Sequence, residues 1–172
     1  MIAIVLLIPL FLIRYGLLGM LSKEALRRAA HFPPMEGNEK LAYWLYEILM
    51  PCIFIALCFL KIRADTTWFI PGLLLYALGT LLFIISVFNY ARPAASGINT
   101  KGLYRVSRNP MYVSYLLYFL GCALITGSLL LLLLTLILQV SSHWIIRAEE
   151  RWCVREFGQE YVRYMERVGR YV

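Results

Sequence analysis

Two short stretches of this 172-residue chain carry polar groups at spacings that suit ligand chemistry. The first is SGINTKGLYRVSRNPMY, residues 96–112, whose Arg108–Asn109–Pro110 step leads into an apolar run. Proline suits the first turn of a helix, where the missing N–H has no partner to lose, and Asn109 stands where an N-cap belongs. The unpaired N–H groups of that terminus, with Arg105 and Arg108 beside them, would make a site for a carboxylate or phosphate. The plainer alternative is a capped helix flanked by topology-setting arginines. The second stretch is RAEERWCVREFGQEYVRYMERVGRYV, residues 147–172. Its Glu149 and Glu150 follow an apolar run directly, where carboxylates are unfavourable beside anionic lipid unless they are paired or hold a cation. They either face a cationic ligand or form salt bridges with Arg147, Arg151 or Arg155, some at helical spacing. Cys52, Cys58, Cys122 and Cys153 form no CxxC, and only His31 and His143 could join them, so the pattern predicts no metal site. His143 reads as a packing or interfacial residue.

The elements that must position these groups are apolar. Hydrophobic residues make up 61% of the chain and charged ones 16%, against about half and a quarter in a soluble domain. The excess falls in runs at 1–21, 41–62, 68–90, 110–127 and 129–146. About twenty apolar residues span the roughly 30 Å hydrocarbon layer as a helix. No segment alternates as a strand does, and backbone groups in lipid must be satisfied within the segment. The expected fold is all-α: a polytopic membrane protein of about five transmembrane helices with a C-terminal amphipathic helical segment on the cytoplasmic face. The first run is expected to be a membrane helix, since it lacks a basic n-region and a cleavage site and carries Arg14 within it. Arg14 is expected to snorkel or to face other helices. Gly127 and Ser128 join the last two runs as a tight hairpin. That hairpin brings Arg108, Asn109 and Tyr112 at one end to Glu149 and Glu150 at the other. A pocket there would offer cations, carboxylates and aromatic faces, a mixture suited to a zwitterionic cofactor with a positive centre. The tail, with Trp152, Phe157, Tyr161, Tyr164, Met165 and Val168 at spacings of three to five, reads as an amphipathic helix broken near Gly158.

The net charge of +7 is distributed as topology rather than as a nucleic-acid surface. Lys23, Arg27, Arg28 and Lys40 lie in one connection and Arg92, Lys101, Arg105 and Arg108 in another, and the tail from Arg147 adds six arginines. The opposite connections hold Lys61 and Arg63 alone. Positive charge stays cytoplasmic, so the N-terminus is expected outside and the C-terminus inside. The partners expected are membrane lipids and a lipophilic or lipid-modified substrate, not nucleic acid or a metal. Nothing in the sequence specifies an oligomeric state. The chain reads as one domain, with three membrane helices over 1–90 and the loop, hairpin and tail over 91–172.

At these residues the chain resembles the membrane methyltransferases of the isoprenylcysteine carboxyl methyltransferase and phospholipid N-methyltransferase superfamily. That pattern is roughly G-x-Y-R-x-x-R-[HN]-P-x-Y, a helical hairpin, E-E, then F-G-x-x-Y-x-x-Y. Here it stands as Gly102, Tyr104, Arg105, Arg108, Asn109, Pro110 and Tyr112, then Glu149 and Glu150, then Phe157, Gly158, Tyr161 and Tyr164. The resemblance implies methyl transfer from S-adenosylmethionine to a lipophilic acceptor at the cytoplasmic face. It also implies that Arg108, Asn109, Tyr112, Glu149 and Glu150 bind the cofactor, that Asn99, Thr100, Gly102 and Tyr104 cradle it, and that Arg108 and Glu150 act in catalysis. Many members carry His where this chain has Asn109, so hydrogen bonding carries over and proton transfer by that residue does not. Gly79 is a loose counterpart of a glycine motif on an earlier helix. With no base evident in the matched residues, carboxyl methylation of an isoprenylcysteine-type acceptor comes first. N-methylation of a phosphatidylethanolamine-type lipid is the enzymatic alternative, and a non-catalytic scaffold or lipid-binding protein the alternative of another class.

Overall fold

A computed structural model describes residues 1–94 and 96–171. Among the described residues there are seven helices: α1 (Ala3–Leu21), α2 (Lys23–Ala29), α3 (Glu39–Phe59), α4 (Phe69–Tyr90), α5 (Pro110–Thr126), α6 (Leu129–Phe157) and α7 (Gln159–Arg167). A 3₁₀ turn at Gly102–Arg105 precedes α5, and no strand occurs among the described residues. Helices α1, α3, α4 and α6 are long and apolar enough to cross a bilayer, and α5 is a shorter apolar helix. The fold is that of an all-α integral membrane protein.

The bundle has two distinct ends. At one, the Arg63 amide donates to the Ile125 carbonyl and the Ile62 amide to that of Met1. The chain start, the α3–α4 connection and the α5–α6 turn therefore meet there. That turn works because Gly127 takes the left-handed conformation at φ 60°, and the Ser128 hydroxyl caps α6 by accepting from the Leu131 amide at 3.2 Å. The other end gathers α2, the 91–109 connection, the last turns of α6 and α7.

Close packing of α4 on α5 comes from small residues. A Cβ on Gly79 would stand 2.5 Å from the Tyr118 backbone nitrogen, and one on Gly121 equally close to that of Tyr76. Glycines at such contacts let membrane helices approach backbone to backbone, which is the role this structure gives Gly79. Tyr118, Phe83, Phe119, Ile53 and Ile145 are fully buried around this seam. Leu74, Leu78, Leu81 and Ile85 form an exposed apolar stripe on α4, as a lipid-facing surface requires.

Two local departures shape the polar end. Residues Leu12–Leu17 of α1 wind as a π-helix, a bulge common at functional sites. It turns Arg14 inward, where its guanidinium donates to the Tyr115 hydroxyl at 3.2 Å and the Ala29 carbonyl at 2.6 Å. Arg14 therefore faces other helices. The second departure is the length of α6. The sequence ends its apolar run at 146, but the helix continues unbroken through Glu149 and Glu150 to Phe157. Its 29 residues extend about 43 Å, well beyond a 30 Å hydrocarbon layer. Gly158, at φ 56° and ψ −136°, ends it and starts α7.

Candidate functional site

Continuation of α6 past its apolar run carries the acidic pair to the mouth of α5. At Glu150, Oε1 accepts from Arg108 Nε at 2.9 Å, and Arg108 Nη2 forms an ion pair with the same oxygen at 2.9 Å. Its Oε2 accepts from Arg170 Nε at 3.0 Å and Nη2 at 2.7 Å. The remaining donors of Arg108 reach the carbonyls of Met165 at 2.8 Å and Val168 at 2.9 Å. The Arg108 and Glu150 side chains are only 8% and 5% exposed, so this pair is a buried clasp. A hydrogen-bonded carboxylate at this depth stabilises only when all its partners are present.

Glu149 is held differently. Its Oε1 accepts from the Tyr112 hydroxyl at 2.9 Å, which is the only hydrogen bond it makes among the described residues. Consecutive helix positions point about 100° apart. The two glutamates therefore diverge, one into the arginine clasp and the other into open space.

That space is a cavity of about 330 Å³, within the range of small-molecule sites. Of the residues singled out in the sequence, Asn99, Tyr104, Arg108, Asn109, Tyr112, Glu149 and Glu150 line it. Thr100 and Gly102 do not. Gly102 instead packs its bare Cα against the Asn89 side chain, whose Oδ1 accepts from the Leu103 amide at 2.9 Å, so it secures the loop from behind. Arg105 is exposed, away from the cavity. Asn109 holds the N-cap position of α5, but its side chain makes no capping bond and donates to the Arg170 carbonyl at 3.1 Å. The Ser107 hydroxyl accepts from the Asn109 amide at 3.1 Å. His143 pairs with the Tyr171 hydroxyl at 2.8 Å, outside the cavity lining.

Most of the cavity lining comes from residues to which the sequence assigned no site role. Tyr46, Tyr90 and Tyr115 reach it from α3, α4 and α5, Arg14 and Arg28 from α1 and α2, and Phe32 from the following loop. Among the described residues, two buried polar side-chain atoms here lack a partner: Asn99 Oδ1 and Arg28 Nε. The Arg28 guanidinium sits 5.3 Å over the Tyr90 ring, a cation–π contact. The one signal in the sequence was a charge inside an apolar run, Arg14. Arg28 was indistinguishable from its topology-setting neighbours.

Outside the membrane helices, burial pushes the Tyr104 and Tyr164 phenols well above their ordinary range, so both stay protonated. The Tyr164 hydroxyl uses its proton to bond the Tyr104 carbonyl at 2.6 Å. Hydrogen bonding to Glu150 raises the Arg170 guanidinium further. Among the described residues, no group of three His, Cys, Asp or Glu side chains stands where it could hold a metal ion.

A family model described as phospholipid methyltransferase matches residues 67–160, more than half of the chain. The match runs from the start of α4 through the loop, the hairpin and both glutamates into α7. No curated protein and no solved structure matches the chain.

Proposed function

From the chain's membership of the phospholipid methyltransferase family, which makes it a membrane methyltransferase acting on a lipid-like acceptor, we propose that the methyl donor is S-adenosylmethionine, held in the cavity between the Asn99–Tyr112 segment and Glu149, and that the acceptor is an amine-bearing lipid.

The residues present fit this donor. Asn99 Oδ1 is an unused acceptor for an adenine amine or ribose hydroxyl. Tyr90, Tyr104 and Tyr112 provide faces for a ring or a sulfonium. When bound, the donor supplies a sulfonium methyl already activated for transfer to a lone pair, leaving a neutral thioether. The protein's work is then positioning and exclusion of water, which in well-oriented systems contributes roughly 7–11 kcal/mol. Arg108, Glu150 and Arg170 position the loop against α6. Tyr112 orients Glu149 by donating to its Oε1, leaving Oε2 toward the cavity.

The single observation that carries this reading is that Glu149 is a cavity-lining carboxylate answered only by a tyrosine hydroxyl. Such a group attracts cations, and its free oxygen is placed to take the proton that an ammonium acceptor must lose before its nitrogen can react. Carboxyl methylation of an isoprenylcysteine-type acceptor is the second reading. It draws on Arg14 and Arg28, which would hold a carboxylate and need no base. The excess of basic residues at the cavity end favours a cytoplasmic site, with the N-terminus outside and the C-terminus inside.

Incubating the purified protein with methyl-labelled S-adenosylmethionine and lipid extract tests the proposal. Label in a base-stable amine lipid supports it. Label released by mild base as an ester favours the carboxyl reading, and no incorporation into either contradicts both.

A further inference from the structure

Arg28 is the cavity's unexplained cation. Its guanidinium makes no hydrogen bond or ion pair among the described residues, its Nε is buried, and it sits 5.3 Å over the Tyr90 ring. Leaving a desolvated guanidinium N–H unpaired is costly, so the position calls for an anionic ligand. Arg14 stands beside it. The Arg14 bond to the Ala29 carbonyl, one residue on from Arg28, ties the π-helical segment of α1 to the end of α2 and fixes both cations on one wall. The other guanidinium in the cavity, Arg108, has its donors taken up by Glu150 and two carbonyls.

We propose that Arg28, supported by Arg14, is an anion subsite for the phosphodiester of the lipid acceptor, in the same cavity as the Glu149 carboxylate that takes its amine. This deepens the amine-lipid reading and rests on it. A zwitterionic headgroup places phosphate and ammonium a few bonds apart, and among the described residues the cavity offers a guanidinium without a hydrogen-bond partner and a carboxylate without a cationic one. Two features assign the arginines to the acceptor rather than to the donor's carboxylate. They lie on α1 and α2, outside the residues matched by the family model, whereas the loop and α6 elements fitted to the donor lie within it. And α1 exposes apolar side chains on its outer surface, among them Leu12 and Tyr15, so Arg14 belongs to an element that borders the bilayer. Arginine's planar fork suits a phosphate held by two oxygens.

The test is equilibrium binding to the purified full chain in neutral detergent, read by fluorescence of the cavity-lining Trp152. The probes are short-chain phosphatidylethanolamine, an alkyl phosphate, an alkylammonium and S-adenosylmethionine. Arg28→Gln is expected to weaken the phosphatidylethanolamine and the alkyl phosphate by about tenfold or more, the usual scale for a charge-assisted contact, with the alkylammonium and the donor little changed. Arg28→Lys, which keeps charge but not the fork, is expected to fall between. Among the described residues Arg28 makes no hydrogen bond or ion pair and touches the protein through the Tyr90 ring, so these variants should unfold close to the wild-type temperature, which is checked alongside. The proposal is overturned by wild-type protein that ignores alkyl phosphate, by a variant that retains its full affinity, or by a loss confined to the donor. Failure of the donor to bind wild-type protein is a separate result and removes the cofactor reading instead.

Discussion

Arg108 and Glu150 are locked together by a hydrogen bond and an ion-pair contact, each 2.9 Å, to the same carboxylate oxygen, while Arg170 takes the other oxygen. The acidic pair at the end of α6 thus divides its work. Glu150 joins α5, α6 and the C-terminal segment, and Glu149 is left for the cavity.

Removing the centre of that clasp strands two guanidinium groups. Glu150→Gln is expected to lower stability by about 3–5 kcal/mol, the scale for breaking a buried pair. Thermal unfolding in detergent without ligand measures it. Arg170→Ala should cost less, because that side chain is 31% exposed. A Glu150→Gln protein as stable as wild type would contradict the clasp.

The α4–α5 seam predicts that Gly79→Ala destabilises although it adds only a methyl group. The new Cβ would meet the Tyr118 backbone, which cannot swing away as a flexible side chain would. Overpacking of this kind typically costs about 1–3 kcal/mol. Gly16→Ala is the control, since a Cβ there meets nothing within 4 Å. Equal unfolding temperatures for the two variants would rule out the close approach.

Arg151 latches the cavity's loop wall. Its Nη1 and Nη2 each stand 2.7 Å from a Glu39 oxygen, and its Nε lies 3.6 Å from Glu36. His31, Phe32 and Pro33 of the cavity lining lie just before these acids. Arg151→Ala is expected to weaken donor binding by about three- to tenfold, with global unfolding little changed, because the pair is partly exposed and worth about 1 kcal/mol. Raising salt should narrow the gap between wild type and variant. A gap that does not respond to salt would assign Arg151 another role.

Much of this was legible in the sequence because bilayers impose long apolar runs and hairpins impose proximity. The five runs, the Gly127–Ser128 turn and the meeting of Tyr112 with Glu149 all follow from length and order. What was not legible depends on which way a side chain faces. Glu149 and Glu150 look alike as adjacent letters, and only the rotation of α6 separates them. Tyr46, Tyr90 and Tyr115 sit in apolar helices where a tyrosine gives no periodic signal. Arg14 was conspicuous, but the π-helical winding that turns it inward has no marker in the sequence. Asn109 was placed correctly at the start of α5, while its side chain went to the Arg170 carbonyl, a partner sixty-one residues away.

The central claim is that Glu149 lies in the cavity where a cationic methyl donor and the acceptor amine meet, and so contacts both. Titration of S-adenosylmethionine into purified wild-type and Glu149→Gln protein, followed by calorimetry, tests it most directly. We expect saturable binding to wild type and at least about tenfold weaker binding to the variant, with unchanged unfolding temperatures. No binding to wild type, or equal affinity in the two proteins, would contradict the claim.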